Sequence, residues 1–378
     1  MILDLPLDRL RSRRSVKWQK YGPDVLPLWV AEMDVDLAAP IHDVVTAMVA
    51  QSDTGYTWNA DLPGAYAKFA QARWALDVDP AKVYVLQDVM RGVLEVLQTG
   101  TAPDAGVVVN PPVYHPFFAT IEHIGRRVVQ VPLVVDDGGR YQLDLAGLER
   151  AFRDGARAYL MCSPHNPVGR VWSHDELRAV VALAAAHDVL LVVDEIHAPL
   201  VHAGSRFVPV HAVDEPGARD AIAVMSASKA WNLAGLKAAV VVAGSDRGWR
   251  TVASMGEEVG YGTGILGAAA ALAAFTDGAD WLDELLADLE HRRTLLADLL
   301  AEHLPTIGYR LPEATFLAWL DCRALGLADP YAHFLQQAKV ALQPGEEFGD
   351  PGKGFVRLNF ATSEQILTDA VQAMARSL

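Results

Sequence analysis

The chain has 378 residues, of which 51% are hydrophobic and 21% are charged, a balance typical of a globular protein with a large core and two domains. Its net charge of −15 disfavours nucleic acid or an anionic membrane as a partner, because both attract clustered lysine and arginine. The two cysteines are too few for a disulfide framework and favour a cytoplasmic location. No signal peptide is evident, nor is an apolar run of roughly 18 residues, the length that a membrane span needs.

The middle of the chain alternates short apolar runs with amphipathic stretches, which predicts strands joined by helices. The apolar runs predict strands at 83–86, 106–109, 128–131, 158–162, 189–193, 221–225 and 238–243. The amphipathic stretches predict helices at 91–98, at 117–123 and, after a capping box from Ser173 to Glu176, up to residue 186. Uninterrupted runs of Val, Ile and Leu between helices indicate an α/β fold whose parallel sheet is covered on both faces.

The predicted domain organisation has three parts. Residues 1–45 form an ordered N-terminal arm and part of a small domain. Residues 46–279 form a large domain that carries the parallel sheet. Residues 280–378 form a small C-terminal α/β domain, with a long amphipathic helix at about 280–304 and strands at 315–321 and 354–360.

Polar side chains follow the predicted strands at their C-terminal ends, where open α/β sheets bind ligands. Lys229 follows the apolar run 221–225 in the sequence Ser226-Ala-Ser-Lys. Burial lowers the pKa of such a lysine and frees its amine to form an imine. Ser226, Ser228 and Lys237 suit a nearby phosphate, so the pattern predicts a pyridoxal phosphate lysine, with an ordinary loop lysine as the alternative.

Other strand ends supply further candidates for a pyridoxal phosphate site. Asp194 ends a strand, where a carboxylate suits a protonated pyridine nitrogen, although helix caps and salt bridges also place Asp there. Asn166, in the loop 163–169, suits the phenolate oxygen of the cofactor, with an Asn-Pro turn as the alternative, and His197 suits the same oxygen. Tyr114 suits stacking on the ring, with a half-buried core tyrosine as the alternative.

Two more features suit anions. Val89 and Met90 lie between a strand and a helix, where free backbone amides bind phosphate. Arg357 lies in an apolar strand, where its planar fork suits a substrate carboxylate or, alternatively, a structural ion pair. His197 and His202 lack the spacing of a metal site, so no metal is predicted.

Seven segments together resemble fold-type I pyridoxal phosphate enzymes of the class I/II aminotransferase superfamily. Within it, the chain is most similar to the MalY/PatB-like cystathionine β-lyases, or C–S lyases. The resemblance covers nearly the whole chain, with order and spacing in agreement. The segments are 12–18, 28–34, 55–58, 163–172, 194–197, 226–237 and 355–359, of which 28–34 (LWVAEMD), 168–172 (VGRVW) and 194–197 (DEIH) carry the subfamily resemblance.

The resemblance implies an aspartate-aminotransferase-like fold with a mostly parallel seven-stranded sheet, and a homodimer with shared active sites. It implies catalytic roles for Lys229, Asp194 and Tyr114, with Lys229 forming the imine and later moving the substrate Cα proton. The implied cofactor contacts are Asp194 on the pyridine nitrogen, Asn166 and His197 at the phenolate oxygen, Tyr114 on the ring, Val89, Met90, Ser226, Ser228 and Lys237 at the phosphate, and Tyr56 at the phosphate of the neighbouring subunit. The implied substrate site consists of Arg357 for the carboxylate, with Trp29, Val30 and Asn166 around it.

Two positions depart from the pattern of many aminotransferases in the superfamily. His197 stands where many of them have Tyr, which favours the lyase subgroup. Lys237 stands where many have Arg, so a point charge replaces a bidentate phosphate contact.

The implied activity is β-elimination from L-cystathionine or a related cysteine S-conjugate, giving a thiol, pyruvate and ammonia. An aminotransferase with the same cofactor is the first alternative, because both reactions begin with loss of the Cα proton. A regulatory, partner-binding protein on the same fold is the lesser alternative.

Overall fold

The computed structural model describes all 378 residues, and a sheet of seven strands forms its centre. In spatial order the strands are Val83–Leu86, Ala239–Ala243, Ile222–Met225, Leu190–Asp194, Ala156–Cys162, Gly106–Val109 and Arg127–Gln130. Only Ala239–Ala243 runs antiparallel to its neighbours, and every other pair is parallel. The structure therefore confirms the mostly parallel sheet of seven strands.

The central strands of this sheet are buried on both faces, to which successive residues of a strand point alternately. Val192 packs on one face against the helix Val89–Gly100, in a cluster that also contains Val93. Val193, the next residue, packs on the other face in the larger of the two main hydrophobic clusters. Double-sided burial explains why these strands are continuous apolar runs.

Ten helices have at least eight residues. They are Ala39–Ala50, Leu62–Trp74, Val89–Gly100, Pro116–His123, Leu145–Arg153, His174–Ala186, Asp246–Ala253, Ile265–Asp277, Ala279–His303 and Glu364–Arg376. The capping box predicted at Ser173 is present, with Glu176 completing it. None of these helices alone has the length and apolar character to cross a membrane, although Ile265–Asp277 and Ala279–His303, bent by 82°, satisfy that test as a pair.

A second, antiparallel sheet lies in the C-terminal part of the chain. Its strands, in spatial order, are Gly308–Tyr309, Leu317–Asp321, Phe355–Asn359 and Gln343–Pro344. The N-terminal arm joins this part, because Leu26–Pro27 pairs with Val340–Ala341 in parallel. The division at residues 45 and 279 stays a prediction.

The remaining elements are short. Val134–Val135 and Tyr141–Gln142 form a hairpin. The short helices are Leu7–Arg11, Val16–Gln19, Glu257–Gly260 and Pro330–His333; the 3₁₀ turns are Pro80–Lys82, Ala198–Leu200, Val210–Ala212, Ala218–Asp220, Arg323–Leu325, Gly345–Phe348 and Asp350–Gly352; Phe334–Ala338 is a π-helical turn.

Candidate active site

The predicted polar side chains meet at one edge of the large sheet. Neighbouring strands bring Cys162 beside Asp194 and Asp194 beside Val224, so the carboxyl ends of three strands are level. A cavity of about 220 Å³ opens there. It is lined by Val89, Met90, Tyr114, Asn166, Asp194, His197, Ser226, Ser228, Lys229 and Lys237, all of them predicted site residues.

The Lys229 amine extends into this cavity. Its Nζ donates a hydrogen bond to the Ala31 carbonyl at 3.0 Å, from a segment of the N-terminal arm. Burial and the positive charge of Arg357, opposed in part by Asp194, lower the pKa of Lys229 to about 8. A neutral fraction of the amine is therefore present near neutral pH, as a nucleophile or a base requires.

The Asp194 carboxylate faces Lys229 across the same cavity. It accepts a hydrogen bond from the Ile196 amide at 3.0 Å and is almost fully buried. Burial raises its pKa to about 7, while the Ile196 amide and the Lys229 charge act in the opposite direction. A cationic partner in the cavity would favour the ionised carboxylate.

One wall of the cavity presents donors to an anion. Asp88 caps the helix Val89–Gly100 by accepting from the Arg91 amide at 2.8 Å. The Gly92 amide is the first to donate within the helix, to the Asp88 carbonyl, so the preceding amides of Val89 and Met90 stay free for a ligand. Lys237 reaches the same wall, with its Nζ 3.2 Å from a carboxylate oxygen of Asp88.

The two serines of this wall support each other. The Ser226 hydroxyl donates to the Ala238 carbonyl at 2.6 Å and accepts from the Ser228 amide at 3.0 Å. This pair of bonds fixes the turn between the strand Ile222–Met225 and Lys229.

The guanidinium of Arg357 lies beside Asn166 rather than on the cavity wall itself. One terminal nitrogen donates to the Asn166 side-chain oxygen at 3.0 Å and the other to the Trp29 carbonyl at 3.1 Å, while Nε has no partner. The cation also lies 4.9 Å from the centre of the Phe348 ring. The neighbouring Val30 carbonyl accepts from Asn359, two residues after Arg357. The structure therefore brings together the four residues predicted for the substrate site, which are Trp29, Val30, Asn166 and Arg357.

His197 and Tyr114 complete the cavity. The Nδ1 atom of His197 is buried without a partner, and burial together with the nearby cations Lys229 and Arg357 holds its pKa well below the ordinary value. His197 is therefore neutral near pH 7. Burial raises the pKa of Tyr114, which stays a neutral phenol.

Tyr56 is the one predicted residue that stands apart. It is fully exposed and does not line the cavity of its own chain. Trp58 and Tyr261 are also about four-fifths exposed, and the Thr57 hydroxyl ties their two segments together by donating to the Thr263 carbonyl at 2.6 Å. This exposed aromatic patch lies outside the site of its own chain.

Comparison with known proteins identifies the family. The model of the class I and II aminotransferases matches residues 36–374. The chain belongs to this family. A Mycobacterium tuberculosis protein named "Putative cystathionine beta-lyase" is 46% identical over 99% of this chain and 97% of its own. Cystathionine beta-lyase of Corynebacterium glutamicum is 33% identical over 98% and 99%. The crystal structure of cystalysin from Treponema denticola, which contains a pyridoxal 5'-phosphate cofactor, matches with a TM-score of 0.92 at 27% identity over 100% and 99%.

Seven residues that line the cavity were not predicted from the sequence. They are Ala31, Gln87, Asp88, Cys162, Ile196, Ala234 and Ala238. Asp88 was recognisable as a helix cap, because it directly precedes the helix whose first amides had been singled out. Ala31 contributes only its backbone carbonyl, for which a sequence carries no signal.

Proposed function

We propose that the chain is a pyridoxal-phosphate-dependent C–S β-lyase that acts on L-cystathionine or a related cysteine S-conjugate. The observation that carries this proposal is the full-length similarity to proteins named cystathionine beta-lyase, at 33–46% identity. The site supports it, because Lys229 and Asp194 line one cavity and Arg357 bonds to Asn166 on its wall.

The residues present fit the cofactor. The free amides of Val89 and Met90 suit its phosphate, and the Asp194 carboxylate suits its basic ring nitrogen. The Asn166 amide keeps its nitrogen free, because only its oxygen is taken by Arg357. Lys229 would hold the carbonyl carbon of the cofactor covalently.

When bound, pyridoxal phosphate supplies a protonated ring that accepts the electron pair left on the substrate Cα. Arg357 binds the substrate carboxylate and orients the Cα–H bond. The Lys229 amine removes the Cα proton, and the Cβ–S bond breaks as the thiolate leaves. The protonated Lys229 gives this proton to the departing thiolate, which leaves as the thiol. The released aminoacrylate takes up water and gives pyruvate and ammonia.

An assay with L-cystathionine tests this proposal against transamination. We expect thiol, pyruvate and ammonia in equal amounts without any added keto acid, because elimination needs no second substrate. L-Alanine, which has no leaving group on Cβ, serves as the matched control and should release nothing. Turnover that requires a keto acid and releases no thiol would instead identify an aminotransferase.

We further propose a cytoplasmic homodimer in which Tyr56 of one protomer contacts the cofactor phosphate bound by the other. The exposed patch of Tyr56, Trp58 and Tyr261 supports the dimer, since large exposed aromatic surfaces mark interfaces. The two cysteines are free and buried, in keeping with the proposed reducing compartment.

Removal of the Tyr56 hydroxyl tests the shared site. We expect sedimentation at twice the chain mass of 40.9 kDa, and about tenfold weaker cofactor binding in Tyr56→Phe, because a hydrogen bond to a charged group is lost. Tyr261→Phe, an equally small change in the same patch, should bind cofactor normally. Sedimentation as a monomer, or unchanged affinity in Tyr56→Phe, would refute the shared site.

A further inference from the structure

An unusual set of hydrogen bonds fixes the segment of residues 29–33, which we call the strap. All five of its backbone carbonyls accept hydrogen bonds from side chains, at 2.6–3.1 Å. The donors are Arg357 to Trp29, Asn359 to Val30 and Glu32, Lys229 to Ala31, Lys17 to Glu32, and Asn232 to Met33. Backbone bonds to other elements occur only at the flanks, at Leu28 and Asp34.

Two of these donors belong to the proposed chemistry. Lys229 would bond covalently to the cofactor, and Arg357 would pair with the substrate carboxylate. Lys229 and Arg357 would therefore each serve both the strap and a ligand. Lys17, Asn232 and Asn359 are the donors that no ligand claims, and they hold the strap when the site is filled.

Lys17 is the least expected of the three. Its side chain and that of Asp34 are both fully buried, with Nζ 2.7 Å from one carboxylate oxygen. The Trp18 indole N–H donates to the other oxygen at 3.0 Å. A buried ion pair contributes little to stability compared with an apolar pair, but it imposes one geometry.

We propose that Lys17, held by its ion pair with Asp34, is a positioning residue that keeps the strap carbonyls against Lys229 and Arg357 while the site binds its ligands. Asp34 follows the strap directly, so the pair anchors one end of it to the helix Val16–Gln19. The same amine bonds to the Glu32 carbonyl at 3.0 Å, which links the anchor to the strap itself. The proposal depends on the proposed function only for the identity of the ligands.

The double variant Lys17→Met/Asp34→Asn tests this role in the holoenzyme. It removes both charges together and keeps an acceptor for Trp18, so no buried charge is stranded. The matched control is Arg9→Gln/Asp36→Asn, which removes an exposed ion pair from the same arm. Two measurements apply: hydrogen exchange of the amides in residues 28–35, and the pH midpoint of the visible absorbance of the bound pyridoxal 5'-phosphate.

We expect strap amides to exchange about tenfold faster in the double variant. We also expect the absorbance midpoint to fall by about 0.5 pH unit, because the negative end of the Ala31 carbonyl dipole, held close to Nζ, favours the protonated nitrogen. The control should show neither change. Unchanged exchange of the strap amides would overturn the proposal. Faster exchange with an unchanged absorbance midpoint would also overturn it, because Lys17 would then stabilise the strap without affecting Lys229.

Lys17→Arg covers the case in which the double variant does not fold. It keeps the charge but changes the shape of the donor group, so both measurements should shift in the same direction by smaller amounts. No shift in either would overturn the proposal. Failure of the proposed function is separate, because a chain that binds no pyridoxal 5'-phosphate gives no visible absorbance while its hydrogen exchange still reports on the strap.

Discussion

Replacing Lys229 with alanine should reduce turnover by at least about 10⁴-fold and abolish the visible absorbance of the lysine-bound cofactor. The variant loses the cavity amine that lies near Asp194, and with it both the proposed covalent attachment and the proposed base for the Cα proton. Absorbance scans of the purified protein and a coupled pyruvate assay measure the two effects. Pyridoxal 5'-phosphate should still bind reversibly, because the other cofactor contacts remain.

Lys353→Ala is the matched control for this experiment. Lys353 is an exposed loop lysine that pairs with Asp350 and does not line the cavity. Its replacement should leave the spectrum and turnover unchanged. An unaltered visible spectrum in Lys229→Ala would show that another group holds the cofactor.

Replacing Asp194 with asparagine should lower kcat by about 10²–10³-fold. The amide has nearly the shape of the carboxylate but no charge, so the ring nitrogen of the cofactor loses the partner that keeps it protonated. The loss should appear in kcat, because the electron pair develops on the substrate only in the transition state. Steady-state kinetics at saturating cofactor measure it.

The adjacent Glu195 offers a stringent control for the Asp194 variant. Glu195 is equally buried, accepts from the Val210 amide at 2.8 Å and has a pKa raised by burial to about 8, but it does not line the cavity. Glu195→Gln should therefore change kcat by less than about threefold at neutral pH, where the carboxyl is already protonated. Equal losses in both variants would mean that disturbance of the strand, not loss of the ring contact, lowers the rate.

Much of the site was predictable because its residues follow strands that the sequence marks clearly. The strand Gly106–Val109 agrees with its prediction at both ends, and Ala156–Cys162 begins two residues earlier because its ladder with Gly106 extends to Ala156. Apolar runs locate strand ends, and parallel topology brings those ends to one edge. Lys229, Asp194 and Asn166 were placed together by this reasoning, and the structure brings them to one cavity.

The contacts of the strap were not predictable from the sequence. Five carbonyls depend on donors that are distant in the chain, and a backbone carbonyl leaves no trace in residue identity. The buried ion pair between Lys17 and Asp34 was also not predictable, because lysine and aspartate lie on the surface in most proteins. Lys237, which contacts Asp88, has a left-handed backbone with φ of 61°, a conformation that is uncommon for residues other than glycine and that the sequence did not predict.

The hydrogen bond from Arg357 to Asn166 joins the small sheet to the cofactor cavity through a single amide group. A cation on the oxygen side of an amide polarises it and makes its N–H groups stronger donors. If Arg357 binds the substrate carboxylate and Asn166 binds the cofactor oxygen, as proposed, neutralisation of Arg357 by substrate would weaken this polarisation and the hydrogen bond to the cofactor. Coupling between two binding equilibria is reciprocal. The charge on the cofactor oxygen would therefore change the affinity for the substrate carboxylate by the same factor by which the carboxylate changes the proton affinity of that oxygen.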